Sequence, residues 1–201
     1  MISLYIAGGC SVLYFAISIY LCRGLKIKVK DLAFGGIVCA LTVVLSCIMV
    51  PLPTGATISV GYTIPLILLA ILCDYRLAIV CGWITGILCL LFVPTWQPVH
   101  WAQIFVEHLV CFSCLGYAGA FGNEKKHKLW FGIAIALTIK LFGHLLSGVL
   151  FFSSNAWDGW GAWGYSLAYN FSSSIPESLI TIFILMFIPL NTLRHQKNFS
   201  S

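Results

Sequence analysis

The sequence predicts an all-α integral membrane protein with about seven spanning helices. Hydrophobic residues make up 60% of the chain and charged residues only 8%, a composition that a soluble domain cannot carry on a hydrated surface. At roughly 20 residues for each span, 201 residues leave only short loops between the helices. We therefore expect neither a nucleotide-binding module nor another large domain outside the membrane.

Seven apolar segments follow one another along the chain and are expected to be the spans. They cover residues 1–22, 32–50, 62–73, 77–93, 101–121, 129–152 and 171–190. The first has no basic start and no cleavage site before a polar mature sequence, so we interpret it as a retained helix and not a signal peptide. The third is short and is expected to be interrupted by Pro65.

Lysines and arginines lie in alternate loops and predict the orientation of the chain. Every loop assigned to the cytoplasm contains at least one of them, whereas the outer loops 51–60, 94–100 and 153–170 contain none. This positive-inside pattern predicts an N-terminus outside the cell and a cytoplasmic tail at 191–201. The formal net charge of +5 therefore indicates orientation and not an anionic partner.

Ionisable side chains inside the predicted spans indicate a functional site, because each costs about 2.5–3.5 kcal/mol to insert. Glu107, His144 and Glu177 all lie about two turns from the outer ends of their predicted spans. Lys140 lies one turn deeper than His144 on the same helix face. Two interpretations are open: Glu107 and Lys140 neutralise each other within the bundle, or both belong to a ligand-binding site. The stripe on this face runs outward through Lys140, His144, Gly148 and Phe152.

The outer loop that follows the stripe collects aromatic and polar side chains. They are Trp157, Trp160, Trp163, Tyr165, Tyr169 and Asn170. Aromatic faces attract organic cations by about 0.5–2 kcal/mol, and the Glu107 carboxylate can accept two hydrogen bonds or balance a positive charge. These features predict a pocket for a flat, partly cationic heteroaromatic ligand, with 153–170 as a lid that Gly159, Gly161 and Gly164 allow to move.

Three segments within 144–177 resemble the signature of a known transporter family. HLLSGVLFF, NAWDGW and YSLAYNFSSSIPE are similar to the thiamine-specific substrate-binding subunit (S component, ThiT/YuaJ family) of energy-coupling factor (ECF) transporters. The layout of 32–190 is similar to the family's six-helix core, and Glu107 stands at its acidic position in the fourth core helix.

The resemblance implies a six-helix S-component bundle over 32–190, preceded here by an additional helix at 1–22 and followed by the tail 191–201. Such a subunit is not an enzyme and carries no cofactor. It captures thiamine from outside with high affinity in a prokaryotic cell membrane. It then works with a transmembrane coupling subunit and two ATPase subunits.

The resemblance also implies which side chains bind thiamine. Glu107 and His144 would contact the pyrimidine and its surroundings, Lys140 would support Glu107, and Gly148 would make room for the rings. Further contacts would come from the aromatic and polar residues Phe152, Trp157, Tyr165 and Asn170. To these we add His108 and Trp96. His108 and Phe152 stand where larger or different aromatics are expected, and Trp96 also fits an interfacial aromatic belt.

Small residues on the second span suggest a close helix contact. Gly36 and Ala40 are four residues apart and therefore share one helix face. Their spacing alone leaves open whether they pack within the bundle or against a partner. The resemblance implies a contact with the coupling subunit.

Three alternatives remain at the level of the sequence. One is an S component for a different vitamin or a thiamine precursor. The second is a membrane metalloenzyme using His144, His108 and Glu107, although the chain has no HExxH motif and no serine-nucleophile motif. The third is a haem- or quinone-linked protein using His100, His108 and His144.

Overall fold

The computed structural model describes residues 2–190 and 192–193, so the rest of the predicted tail 191–201 lies outside the described residues. Seven main helices form the architecture. They are α1 (Ile2–Cys22), α2 (Val29–Ser46), α3 (Ile64–Leu72), α4 (Tyr75–Phe92), α5 (Trp101–Gly119), α6 (Lys126–Phe151) and α7 (Ala162–Phe187). The all-α class with an additional N-terminal helix is confirmed.

Five helices, α2 and α4 to α7, are long and apolar enough to cross a membrane. In α1, the stretch Gly8–Cys22 is a shorter apolar helix. Helix α3 has only 9 residues, which at 1.5 Å per residue cover about 14 Å, half of a hydrocarbon core. The expected interruption by Pro65 is wrong, because this proline lies in the first turn of α3, where its missing N–H is tolerated.

A β-hairpin precedes α3 in the segment predicted to be an outer loop. Strands β1 (Met49–Pro51) and β2 (Thr57–Ser59) pair antiparallel, and Gly55 in the turn between them has a φ of 85°, which favours glycine. Non-helical backbone is tolerated at membrane depth where it is buried in protein or lines a cavity. The hairpin therefore stands where the outer loop 51–60 was expected, and α3 follows it within the short third span predicted at 62–73.

The hairpin and the start of α3 lie along α7, joined by a seam of hydrogen bonds. Its contacts are Thr54–Ser172 at 3.0 Å, Ser59–Glu177 at 2.9 Å and Thr63–Thr181 at 2.7 Å. The last two are buried. A further bond runs from the Tyr169 hydroxyl to the Gly55 carbonyl at 3.2 Å. This seam fixes the hairpin against one face of α7.

Small residues bring the central helices close together. A Cβ on Gly82 of α4 would lie 2.4 Å from the Ser113 Cα of α5, and one on Gly132 of α6 would lie 2.4 Å from the Ala118 carbonyl oxygen. A side chain at either position would collide with the neighbouring backbone, so only glycine allows these helices to approach so closely. The CxxC thiols support the same packing, because Cys111 and Cys114 donate to carbonyls of α6 at 3.4 Å each.

Helix α5 departs from regular α geometry in the region that carries Glu107. Residues Ile104–Leu109 form a π-helical turn, and Cys114–Gly119 continue as a 3-10 helix. A π turn inside an α-helix often marks a functional site, since it changes the direction in which side chains point. The sequence contains no pattern that predicts this turn.

The lid predicted at 153–170 is wrong in its second half. Helix α7 begins at Ala162, so Gly164 and the residues after it are helical. The remaining connection contains a short 3-10 turn, Ser153–Asn155, and one glycine with positive φ, Gly159 at 79°. The polar composition of 162–170 suggested a loop, but here the polar side chains occupy one face of a helix.

Candidate functional site

A cavity of about 450 Å³ lies between the hairpin, α5, α6, α7 and the 3-10 turn Pro94–Trp96. This volume falls in the range of about 300–1,000 Å³ that is typical of small-molecule sites. Predicted site residues that line it are Glu107, His144, Gly148, Phe152, Tyr165, Asn170, His108 and Trp96. Lys140 and Trp157 are not part of the lining.

The Glu107 carboxylate is held by donors from two helices. Its Oε1 accepts from His144 Nδ1 at 3.1 Å, and its Oε2 accepts from Ser147 Oγ and from Gln103 Nε2, each at 2.6 Å. Because a carboxylate only accepts, His144 carries a proton on Nδ1, which leaves Nε2 as its second polar atom. The Glu107 side chain is 24% exposed, so an oriented negative charge faces the cavity.

Lys140 pairs with Glu177 and not with Glu107, so its predicted role is wrong. Lys140 Nζ lies 2.7 Å from Glu177 Oε2 and 5.2 Å from the centre of the Tyr62 ring. The reason is the early start of α7, which puts Glu177 about four turns into its helix and at the level of Lys140. The prediction that Glu107, His144 and Glu177 share one depth is therefore also wrong.

Glu177 belongs to the cavity wall although it was not among the predicted binding residues. Its second oxygen, Oε1, accepts the Ser59 backbone N–H of the hairpin at 2.9 Å. Lys140 is 1% exposed and Glu177 is 8% exposed, so this ion pair is buried beneath the cavity. It links α6, α7 and the hairpin at one point.

His108 holds the turn that closes one side of the cavity. Its Nε2 lies 2.9 Å from the Trp96 carbonyl, and because a carbonyl only accepts, Nε2 carries the proton. The Trp96 ring packs against Tyr62 and Phe112, with ring centres 5.7 Å and 6.0 Å apart. His108 and Trp96 therefore act together, His108 as a tether and Trp96 as part of an aromatic wall.

Trp157 lies behind the cavity wall. Its ring meets the ring of Tyr165 edge to face, with centres 5.2 Å apart, and it contacts Trp160 at the same separation. Tyr165 is buried and lines the cavity, while Trp160 is exposed. Trp157 thus supports Tyr165 from outside the cavity.

Gly148 lines the cavity, and the space that a side chain at this position would need is filled by α7. A Cβ at this position would lie 2.3 Å from Ser166 Oγ and 3.0 Å from Asn170 Nδ2. Ser166 Oγ is itself fixed by its bond to the Leu145 carbonyl at 2.8 Å. Glycine at 148 therefore allows α6 and α7 to meet closely at the cavity wall.

We expect Gly148→Ala to lower the stability of the protein by about 1–3 kcal/mol, because the added methyl group overpacks the α6–α7 contact. The measurement is thermal unfolding in detergent. Gly36→Ala is the matched control, since a Cβ at Gly36 meets nothing within 4 Å. Equal unfolding temperatures for the two variants would contradict the assignment.

Several residues of the cavity were missed by the sequence analysis. They are Gln103 and Ser147 on the helices, Tyr62 and Phe112 in the aromatic wall, and the hairpin residues Gly55, Ala56, Thr57 and Ser59. Glu177 and Tyr169 also line the cavity; the sequence singled out both but assigned neither to thiamine binding. Helical spacing could have found Gln103, four residues before Glu107, and Ser147, three residues after His144. No local signal brings the hairpin residues to the site.

The alternatives with histidine ligands receive no support from the geometry. Within the part of the chain that the structure describes, no three His, Cys, Asp or Glu side chains form a group that could hold a metal ion. His100 is exposed and stacks on Phe151, with ring centres 5.5 Å apart. The Nε2 atom of His108 donates a hydrogen bond to the Trp96 carbonyl oxygen.

Comparison with known proteins gives a consistent family. Residues 32–197 match the family model described as thiamine transporter protein. The chain is 25% identical over 154 residues to the thiamine transporter ThiT of Bacillus subtilis (strain 168), covering 71% of this chain and 79% of that protein. Its fold is similar to a solved structure of ThiT from Listeria monocytogenes, with a TM-score of 0.71, 24% identity, and coverage of 81% and 94% of the two chains.

These matches confirm the resemblance found within 144–177, and helix α1 precedes the matched residues. The family consists of transporters and not enzymes, so the membrane-metalloenzyme alternative is wrong. The apolar helices agree with a multi-pass membrane protein. The chain belongs to the thiamine transporter protein family.

Proposed function

We propose that this protein is the substrate-capture subunit of an ECF-type importer and binds thiamine with high affinity in the cavity described above. The observation that carries the proposal is the partly exposed Glu107 carboxylate, held in place by three side-chain donors inside an aromatic-walled cavity. Membership of the thiamine transporter protein family supports the choice of ligand.

The charge of the cavity fits a monocation. Its lining contains two carboxylates, Glu107 and Glu177, and neither lysine nor arginine is found among the described lining residues. Lys140 neutralises Glu177 from below, so Glu107 is the carboxylate of the described lining that no lysine or arginine balances. Thiamine carries one positive charge on its thiazolium ring, which Glu107 and the surrounding aromatic faces attract.

The polar groups near α7 fit the aminopyrimidine ring. Asn170 Nδ2 is bonded to the Ser166 carbonyl and hydroxyl at 2.9 Å and 3.2 Å, which leaves Asn170 Oδ1 as an acceptor for the ring's amino group. Tyr165 and Tyr169 lie beside it, with ring centres 5.5 Å apart. These side chains give the ring a flat contact surface and a hydrogen-bond partner.

A titration of the purified protein tests this function. Thiamine is expected to quench the intrinsic tryptophan fluorescence with one site per chain, because Trp96 lines the cavity and Trp157 backs Tyr165. Thiamine phosphates, the isolated aminopyrimidine and unrelated vitamins serve as competitors. Binding of another vitamin in the absence of micromolar thiamine binding would overturn the ligand assignment in favour of a different S component.

We further propose that the cavity opens to the outside, with the N-terminus outside and the C-terminus in the cytoplasm, and that α2 docks against the coupling subunit of a complex with two ATPases. Gly36 and Ala40 are both exposed on α2, so a partner helix can approach closely. Helix α1 packs on α4 and α5 through Phe15 and Tyr14, which leaves this face of α2 uncovered.

The double variant Gly36→Leu, Ala40→Leu is expected to bind thiamine like the parent but to lose copurification with the coupling subunit and thiamine uptake in cells. Leucine side chains would hold the two helices apart at the docking face. Gly8→Leu is the matched control, because a Cβ at Gly8 also meets nothing within 4 Å. Full uptake by the double variant would contradict the proposed docking face.

A further inference from the structure

Helix α1 precedes the residues that match the family, yet it bonds directly to the helix that carries Glu107. The Tyr14 hydroxyl lies 2.6 Å from Ser113 Oγ, and Ser18 Oγ lies 2.8 Å from the Tyr117 hydroxyl. Ser18 is fully buried. Both contacts reach α5: Ser113 is the residue before its 3-10 segment, and Tyr117 lies within that segment.

The direction of the Tyr14–Ser113 hydrogen bond follows from the single proton that the Ser113 hydroxyl can donate. Ser113 Oγ donates its single proton to the Leu109 carbonyl, so the Tyr14 hydroxyl must be the donor to Ser113 Oγ. Leu109 is the last residue of the π turn Ile104–Leu109. A chain of two hydrogen bonds therefore runs from α1 to the end of the π turn.

The other end of the π turn also contacts α1. The Phe15 ring meets Phe105 edge to face, with ring centres 6.3 Å apart, and it lies at the same distance from Trp83 of α4. Phe105 and Leu109 flank Glu107 on both sides. Helix α1 thus contacts the π turn before and after the residue that faces the cavity.

The π turn decides where Glu107 points. If this segment took regular α geometry, side chains on one side of it would rotate by about 100° around the helix axis, the angle of one residue. Such a rotation would move the carboxylate away from His144 and Ser147, its partners on α6. Any group that stabilises the π turn therefore stabilises the binding geometry of Glu107.

We infer that α1 braces the π turn of α5, and that Tyr14 and Ser18 are positioning residues for the Glu107 carboxylate. Neither residue lines the cavity, so both act through α5 and not through the ligand. The effect on binding rests on the proposed thiamine function, while the effect on the π turn does not.

Tyr14→Phe tests the brace, because it removes only the hydroxyl. The dissociation constant for thiamine is expected to rise roughly tenfold, and Ser18→Ala is expected to weaken binding in the same direction. Tyr20→Phe is the matched control, since Tyr20 is on the same helix and is 66% exposed. In a Glu107→Gln background, Tyr14→Phe should change the dissociation constant less than twofold, because the group that it positions is already gone.

Hydrogen exchange supplies a readout that does not depend on thiamine. The backbone amides of residues 104–109 should exchange faster in Tyr14→Phe than in Tyr20→Phe. A loss of melting temperature with unchanged affinity and unchanged exchange would overturn the brace, as would an effect on affinity that is fully additive with Glu107→Gln. If the parent fails to bind thiamine, the proposed function fails, and the exchange comparison still decides for or against the brace.

Discussion

Replacing Glu107 with glutamine is expected to weaken thiamine binding by roughly 30- to 100-fold, as for the loss of a charge-assisted contact. Glutamine has nearly the same shape but cannot balance the thiazolium charge. Its NH₂ group would also face a donor, because His144, Ser147 and Gln103 all donate to the two carboxylate oxygens. Isothermal titration calorimetry measures the change directly.

Glu124→Gln is the control for this experiment, because Glu124 is exposed in the loop before α6. The substitution removes the same charge from a residue that does not line the cavity. Its dissociation constant should equal that of the parent. If Glu107→Gln binds thiamine within threefold of the parent, the carboxylate is not the group that selects the ligand.

Replacing Lys140 with methionine is expected to destabilise the protein by about 3–5 kcal/mol, because it leaves the buried Glu177 carboxylate without its partner. Methionine keeps much of the apolar volume of lysine, so the loss comes mainly from the unpaired charge. Thermal unfolding in detergent measures the effect. The hairpin should loosen at the same time, since Glu177 also accepts the Ser59 N–H.

Two further variants separate charge from packing. The double variant Lys140→Met, Glu177→Gln should recover most of the lost stability, because no unpaired charge remains. Arg76→Met removes a cation from the more exposed pair with Asp74 and should cost less than about 1 kcal/mol. Equal losses for Lys140→Met and Arg76→Met would show that the buried pair has no special weight.

Hydropathy and helical spacing were sufficient to predict much of this fold. They predicted α2, α4, α5 and α6 to within a few residues, because each of these helices is a long apolar segment. The same counting placed Glu107 and His144 at one level, and the two side chains do pair. In this region the predicted and observed ends of the helices nearly coincide.

The errors arise where contacts distant in sequence determine the structure. The polar segment 162–170 is helical because its polar face meets the cavity, and this displaced Glu177 from its expected depth. The hairpin depends on bonds to α7 from residues more than a hundred positions away. The π turn is stabilised by contacts from α1 that no local pattern reveals.

The seam between the hairpin and α7 limits how a ligand can reach the cavity. Separating the two elements would break the bonds at Thr54, Ser59 and Thr63. The bonds at Ser59 and Thr63 are buried, so their polar groups would lose their partners away from water, which is costly. The hairpin is therefore expected to travel together with α7 as one rigid part. We therefore expect a ligand to enter past the other elements at the cavity rim, the Pro94–Trp96 turn and the Ser153–Asn155 turn that precedes α7.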